Sequence, residues 1–149
     1  MDNVIEILER HVTFETANLL RNHGFNSTCR SFYKTRDGKT IRLHANSSHR
    51  FDYCNNASLQ ACNDEDETNI AAPTQQMAHE WILLNMGLLV CVDCPIVEDG
   101  KLKYKFYIID TNINNVVYND EEYYDEYHKA REAGMLYVLK NVKPDGKLD

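Results

Sequence analysis

Two hydrophobic periods alternate along the chain, and each change of period marks an element. In MDNVIEILERH, Val4, Ile7 and Leu8 share one helical face behind Asp2 as an N-cap. Thr13 reads as a second N-cap. Phe14, Ala17 and Leu20 follow at helical spacing, and Gly24 is placed to end the helix. The period then falls to two in CRSFYKTRDGKTIRLH, where Asp37-Gly38 between aromatic and β-branched runs signals a hairpin. Its register stays open. A two-residue loop sets Phe32 opposite Leu43 and Arg36 opposite Lys39, which repel; a three-residue loop sets Tyr33 opposite Ile41. From 45 to 69 there is no period, Asn and Ser abound, and the stretch ends in the run Asp64, Glu65, Asp66, Glu67. It reads as a long polar loop.

The block from Pro73 to Val142 is specified more sharply. Pro73 and Thr74 open a helix whose stripe is Met77, Trp81 and Leu84, flanked by Ala78 and Ile82, and Gly87 ends it. In the next run Leu88, Val90, Val92, Cys94 and Ile96 alternate onto one face. Leu102, Tyr104, Phe106 and Ile108 do the same in its partner, leaving Lys101, Lys103 and Lys105 on the other face. A three-residue loop Glu98-Asp99-Gly100 brings the apolar sets together, with Val92 opposite Phe106, Cys94 opposite Tyr104 and Asp93 opposite Lys105. After a turn at 110–115, Val116 to Tyr118 reads as a short strand. Asn119 and Glu122 then form a capping-box-like start to a last helix, Asp120 to Asn141. Its inward stripe is Tyr127, Ala130, Gly134, Tyr137 and Val138, with small residues at Ala130, Ala133 and Gly134 for close packing on the sheet.

These elements predict a single α+β domain over 1–149. Its antiparallel sheet comes from two hairpins, packed on one face by two main helices, with a short helical N-terminus and a frayed tail at 145–149. The size suffices for a core without staples. A formal charge of -7 argues against nucleic-acid binding by bulk electrostatics. Without a basic, apolar leader or a long apolar run, the chain is expected to be cytoplasmic, off the membrane, with its five cysteines reduced. The Asn-x-Ser/Thr triplets at Asn26, Asn46 and Asn56 are then chance matches.

Ala72-Pro73-Thr74-Gln75-Gln76-Met77-Ala78 with Trp81, the hairpin after it and the closing helix resemble an uncharacterised family of small proteins from gut bacteria, their mobile elements and their phages. Phe14-Glu15-Thr16-Ala17, Leu19-Leu20 and Gly24-Phe25 add to the resemblance, which leaves the middle loop unmatched. That family has no assigned activity, so no functional residue carries over. The resemblance implies a small cytoplasmic protein of phage or mobile-element origin. The order helix, strands, helix also matches the double-stranded-RNA-binding domain in topology, but the start of the last helix is acidic, which disfavours RNA.

The candidate chemistry is sparse. His44, His49, Cys54 and Cys62 are all legitimate zinc ligands, and a metal would order the loop, yet no two lie close enough to form a compact chelating pair. Cys91 and Cys94 form a CxxC inside a strand, where residues three apart point to opposite faces. His79-Glu80 looks like the start of a zincin motif, but Leu83 stands where the second His belongs, and a solvated helix face is expected. The acidic run lacks the alternating ligands and central glycine of a calcium loop. Tyr123, Tyr124 and Tyr127, with His128, exceed what one helix face can bury, and they are the candidate interface residues. Edge packing of amphipathic rings is the competing account.

No titratable groups form a nucleophile–base pair at meaningful spacing. The leading expectation is a non-enzymatic accessory or protein-interaction protein without a cofactor, binding another protein or itself. One alternative is a small metal-binding module using residues 44–62. The other, drawn from the resemblance alone, is a ligand-sequestering or host-defence-countering protein. A concave, positively lined pocket at a subunit interface would favour the last.

Overall fold

The computed structural model describes residues 10–37, 39–45 and 54–148. The fold is α+β, and the two predicted hairpins do not share a sheet: each belongs to its own three-stranded antiparallel sheet. The described residues form two compact units, divided between Gln76 and Met77. Most of the predicted first helix, residues 1–9, lies outside the described residues.

In the first unit, helix α1 (Phe14–Asn22) starts at Thr13, whose hydroxyl accepts from the Thr16 amide. Gly24, at φ +93°, ends it. The amide of Phe25 reaches the Leu20 carbonyl at 2.9 Å and that of Gly24 reaches Arg21 at 3.0 Å, the paired bonds of a Schellman motif. Leu20 and Phe25 are buried, each worth about 1.5–3 kcal/mol by removal from water. Strands β1 (Ser31–Arg36) and β2 (Thr40–Ala45) pair with Tyr33 opposite Leu43 and Thr35 opposite Ile41. Both expected registers are thus corrected. The connection is the three residues 37–39, one register step beyond the two-residue loop and two beyond the three-residue loop that pairs Tyr33 with Ile41. It separates Arg36 from Lys39 in the ladder and puts Asp37 at φ 54°, a conformation that Asp tolerates.

The stretch read as a polar loop contains two elements, helix α2 (Asn56–Gln60) and strand β3 (Glu67–Ala71), which adds to β1 in the order β2-β1-β3. Neither shows a hydrophobic period, because asparagines and an aspartate hold them. Asn55 and Ser58 form a capping box. The buried Asn56 side chain donates to the Phe25 carbonyl at 2.7 Å and accepts from the Ala71 amide at 2.9 Å. Asp64 Oδ1 accepts from the amides of Asp66 and Glu67, both at 2.8 Å, so the acidic run opens with an Asx turn into β3.

The second unit contains most of helix α3 (Gln75–Met86), strands β4 (Leu88–Glu98), β5 (Lys101–Asp110) and β6 (Asn115–Asn119), and helix α4 (Tyr127–Asn141). Gly87, at φ +68°, ends α3. The buried stripe of α3 is Ala78 and Ile82, while Leu84 is 82% exposed. The helix is rotated by about one residue from the predicted stripe, and this lets His79 Nε2 meet the Val90 carbonyl at 3.0 Å.

The long hairpin keeps the predicted register up to Val92–Phe106 and Asp93–Lys105, then shifts by one residue between Asp93 and Ile96. Pro95 lies in this bulge; it has no N–H to give the ladder. The turn is therefore two residues, Asp99 at φ 49° and Gly100 at φ 74°, the type I′ signature. Cys94 does not face Tyr104. Beyond the bulge Val97 faces Leu102 and Ile96 faces Lys103, so Val97 takes the apolar face predicted for Ile96.

The last helix starts seven residues later than predicted. Asn119 closes β6, and the chain meets β5 again at Tyr124, with reciprocal Tyr104–Tyr124 backbone bonds of 2.8 and 2.7 Å. Strand pairing overrides the local capping pattern there, and Glu126 takes the N-cap position without a side-chain bond. The buried stripe of α4 includes Ala130, Gly134, Met135 and Val138, whereas Tyr127 is half exposed. Of the tail expected to fray, 145–149, residues 145–148 fold back through a Val142–Leu148 bridge and a 2.8 Å Lys143–Lys147 bond.

Gly134 marks the closest approach of α4 to the sheet. A Cβ there would collide with Val90 Cγ1 and come within 3.1 Å of the Phe106 ring. Gly134→Ala should gain about 1 kcal/mol of helix propensity and lose about 1–3 kcal/mol to overpacking. The expected net result is a lower urea midpoint, and a raised midpoint would show that the helix has room to lift.

Candidate functional site

The second sheet outruns the helix that covers it. Val90, Phe106 and Ile108 are buried on the face that carries α4, but α4 begins at Tyr127. Beyond that point Leu102 and Val97 pair on the same face and stay 50% and 66% exposed. Tyr104, next on that face, meets the Tyr127 ring edge-on at 6.0 Å and 87°. Val97, Leu102, Tyr104 and Tyr127 thus form an apolar surface at the open end of the hairpin.

Behind this surface the rings are locked. Tyr118 and Tyr137 stack at 3.7 Å and 18°, and both lie within 6.3 Å of Phe106, as centroid distances. Tyr124 lies 6.4 Å from Phe106. The Asp120 carboxylate takes the Tyr118 hydroxyl on Oδ1 at 3.2 Å, and the Tyr124 hydroxyl lies 3.3 Å from Oδ2 and 3.4 Å from Glu122 Oε2. Burial first, then these carboxylates, raise the pKa of Tyr124, and burial followed by Asp120 does the same for Tyr118. Both phenols stay protonated and act as donors. The chemistry here is holding: two hydroxyls clamp a carboxylate that fixes the 118–124 segment.

The predicted interface residues do not form one surface. Tyr124 turns inward, and Tyr127 borders the open face. Tyr123, 45% exposed, has Lys105 Nζ 5.5 Å from its ring centroid, on the opposite side of the sheet. His128 Nε2 lies 3.3 Å from Glu126. Leu102 and Tyr137 read as apolar-face residues and Tyr118 as the end of a strand, but neither they nor Val97 count among the expected interface residues. Val97 was hidden by the bulge, and the sequence signal at Pro95 would have revealed it.

Of the metal candidates, the His44 ring stacks on Phe32 at 5.4 Å. The Cys54 thiol donates to the Cys29 carbonyl at 3.3 Å, and Cys62 is exposed after α2. His49 lies outside the described residues. Among the described residues no three His, Cys, Asp or Glu side chains gather into a group that could hold a metal ion. In the CxxC, Cys91 sits opposite Tyr107, while Cys94 is exposed at the bulge and not in the core. No described helix is long and apolar enough to cross a membrane. Comparison with protein-family models, curated proteins and solved structures finds no match for the chain.

Three titratable groups, a cysteine pair and a histidine, give pH predictions. Cys29 and Cys54 face each other through reciprocal backbone bonds of 2.6 and 2.7 Å. Burial, then the neighbouring Cys54, pushes the Cys29 thiol up to about 12, and burial raises Cys54 as well. The folded chain keeps these protons while the unfolded chain loses them above pH 9.0. Their contribution to stability is therefore full below 9 and declines as pH rises toward 12. Cys29→Ala should remove most of the decline that begins at 9, and a thiol reagent should reach Cys62 and Cys94 well before Cys29.

His79 shows the opposite sign. Burial, the largest effect, lowers its pKa from the ordinary 6.5, with Arg131 adding to this and the Val90 carbonyl and Glu80 opposing it. Stability is full above 6.5 and falls as pH drops through the lowered folded value. His79→Gln, which keeps a donor for Val90, should flatten that acid limb in a urea-midpoint series.

Proposed function

We propose that the chain is a non-enzymatic protein-interaction module whose partner docks on the open end of the second sheet. One observation carries the reading: Val97, Leu102 and Tyr127 remain half exposed or more on a face where Val90, Phe106 and Ile108 are buried. A contiguous exposed apolar patch is the usual mark of an association surface, and tyrosines dominate interface hot spots. The locked ring cluster behind Tyr104 and Tyr127 supports it further, since a rigid surface loses little entropy on binding. The partner is a protein that presents apolar side chains. The resemblance to small phage and mobile-element proteins fits an accessory role of this kind.

A photo-crosslinking residue at position 102, with one at position 112 as control, tests this in native cells and in the purified chain. Crosslinks to another protein, or to a second copy, are expected from 102 and not from 112. Leu102→Asp combined with Val97→Asp should abolish them and leave the urea midpoint within about 1 kcal/mol, as exposed substitutions do. Absence of any crosslink from 102, or a crosslink that survives the double substitution, overturns the reading.

A further inference from the structure

The first sheet carries a surface of a different kind. Its ladder sets Phe32 opposite His44 and Lys34 opposite Arg42, and the two-residue period of β1 puts Arg36 on the same face. Like charges directly opposite each other destabilise a sheet. Glu67, opposite Arg36 on β3, is the neutralising group, with Oε1 3.3 Å from Lys34 Nζ and 3.9 Å from Arg36 Nη2. One carboxylate serves two cations, and Arg42 makes no ion pair with a described carboxylate. Lys34, Arg36, Arg42 and His44 line a cleft of about 350 Å³, with no acidic side chain among its described lining residues. The His44 ring stacks on Phe32 at 5.4 Å and 14°.

Two further observations narrow the ligand. A second cleft of about 280 Å³ begins at Arg36 and is otherwise lined by Asp37, Asp64, Asp66 and Glu67. A polyanion extending past Arg36 would run into these carboxylates, and the chain as a whole carries -7; both disfavour a nucleic-acid strand and admit a compact anion. The His44 ring that lines the cleft stacks on Phe32, so a ligand carrying a flat ring beside its phosphates finds a surface that a bare phosphate chain cannot use.

We propose that this face binds a mononucleotide-class phosphate ester, its phosphates on Arg42, Lys34 and Arg36 and its flat base at the His44–Phe32 stack. Guanidinium groups suit phosphate through paired donors, aromatic faces accept bases, and the cleft lies within the range of small-molecule sites. This site is independent of the protein-docking surface on the second sheet.

Isothermal titration of the full chain with ATP, tripolyphosphate and a single-stranded oligothymidylate tests it. ATP should bind stoichiometrically and more tightly than tripolyphosphate, with affinity that falls as salt rises. Arg42→Gln and Lys34→Gln should each weaken ATP roughly tenfold or more, the loss expected for a charge-assisted bond, and Lys140→Gln should change nothing. Because Lys34→Gln also breaks an ion pair, amide shifts on ATP addition are read in the unsubstituted chain, and they should concentrate in β1 and β2. No ATP binding by folded protein overturns the proposal, as does binding unaffected by Arg42→Gln. Tripolyphosphate equal to ATP removes the base from it, and oligothymidylate tighter than ATP reassigns the face to nucleic acid; either result overturns the mononucleotide class.

Discussion

Side chains on a strand alternate between faces, so a single residue of register decides which groups meet. Both surfaces of this protein depend on that parity. In the long hairpin, the bulge between Asp93 and Ile96 inserts one residue and returns Val97 to the face of Leu102 and Tyr104. Without it, Ile96 would take that place and Val97 would join the lysines. In the first sheet, the connection at residues 37–39 sets Lys34 across from Arg42. A shift by one would place Lys34 across from Ile41 or Leu43, and the charged residues of the two strands would part to opposite faces.

The same parity explains how much could be read in advance. Over 88–93 and 105–110 the alternation is strict on both strands, and the register was legible down to the Val92–Phe106 and Asp93–Lys105 pairs. At Cys94-Pro95 the ladder breaks; an unbroken ladder needs a three-residue turn to keep the apolar sets together, whereas the bulge does so with two. In the first hairpin Phe32 sits on the face of Lys34, Arg36, Arg42 and His44, and Ile41 and Leu43 on the other face stay 46% and 45% exposed, so the hydrophobic pattern exerts little leverage on register. The elements at Asn56–Gln60 and Glu67–Ala71 were illegible for another reason: side-chain amides and carboxylates hold them, and those bonds depend on distant backbone such as Phe25 and Ala71. At Asn119 a good local capping signal lost to a long-range pairing of Tyr124 with Tyr104. Neither surface was legible as a site. Tyr123, Tyr124 and Tyr127 read as one helix's residues, and the cations of β1 and β2 share a face in the three-residue register but part in the two-residue one, so their meeting hangs on a register the pattern leaves open.

Rigidity behind the open hairpin end follows from close packing. Gly134 lets α4 descend onto Val90 and Phe106, and that depth positions Tyr137 against Tyr118. Tyr118 in turn shares the Asp120 carboxylate with Tyr124. Each contact fixes the next, so the edge-on ring of Tyr127 rests on a frame with few free rotamers. An exposed ring held in this way loses less entropy on binding than one that must first be ordered. Exposure and rigidity together separate this patch from scattered surface apolar residues such as Leu84, which stands 82% exposed alone on its helix.

The basic face calls for a different argument, because it works against stability. A sheet selected for stability alone gains roughly 0.2–1 kcal/mol by facing Lys34 with an acid, and this chain has acids in excess. It faces Lys34 with Arg42 instead and leaves the balance to a single carboxylate, Glu67. Of the acids nearby, the Asp64 carboxylate is engaged elsewhere, capping the turn into β3. Local choices that oppose the fold without a compensating contact are where function is expected to sit. Here the missing contact is an anion, and the carboxylates beyond Arg36 limit how far that anion can extend.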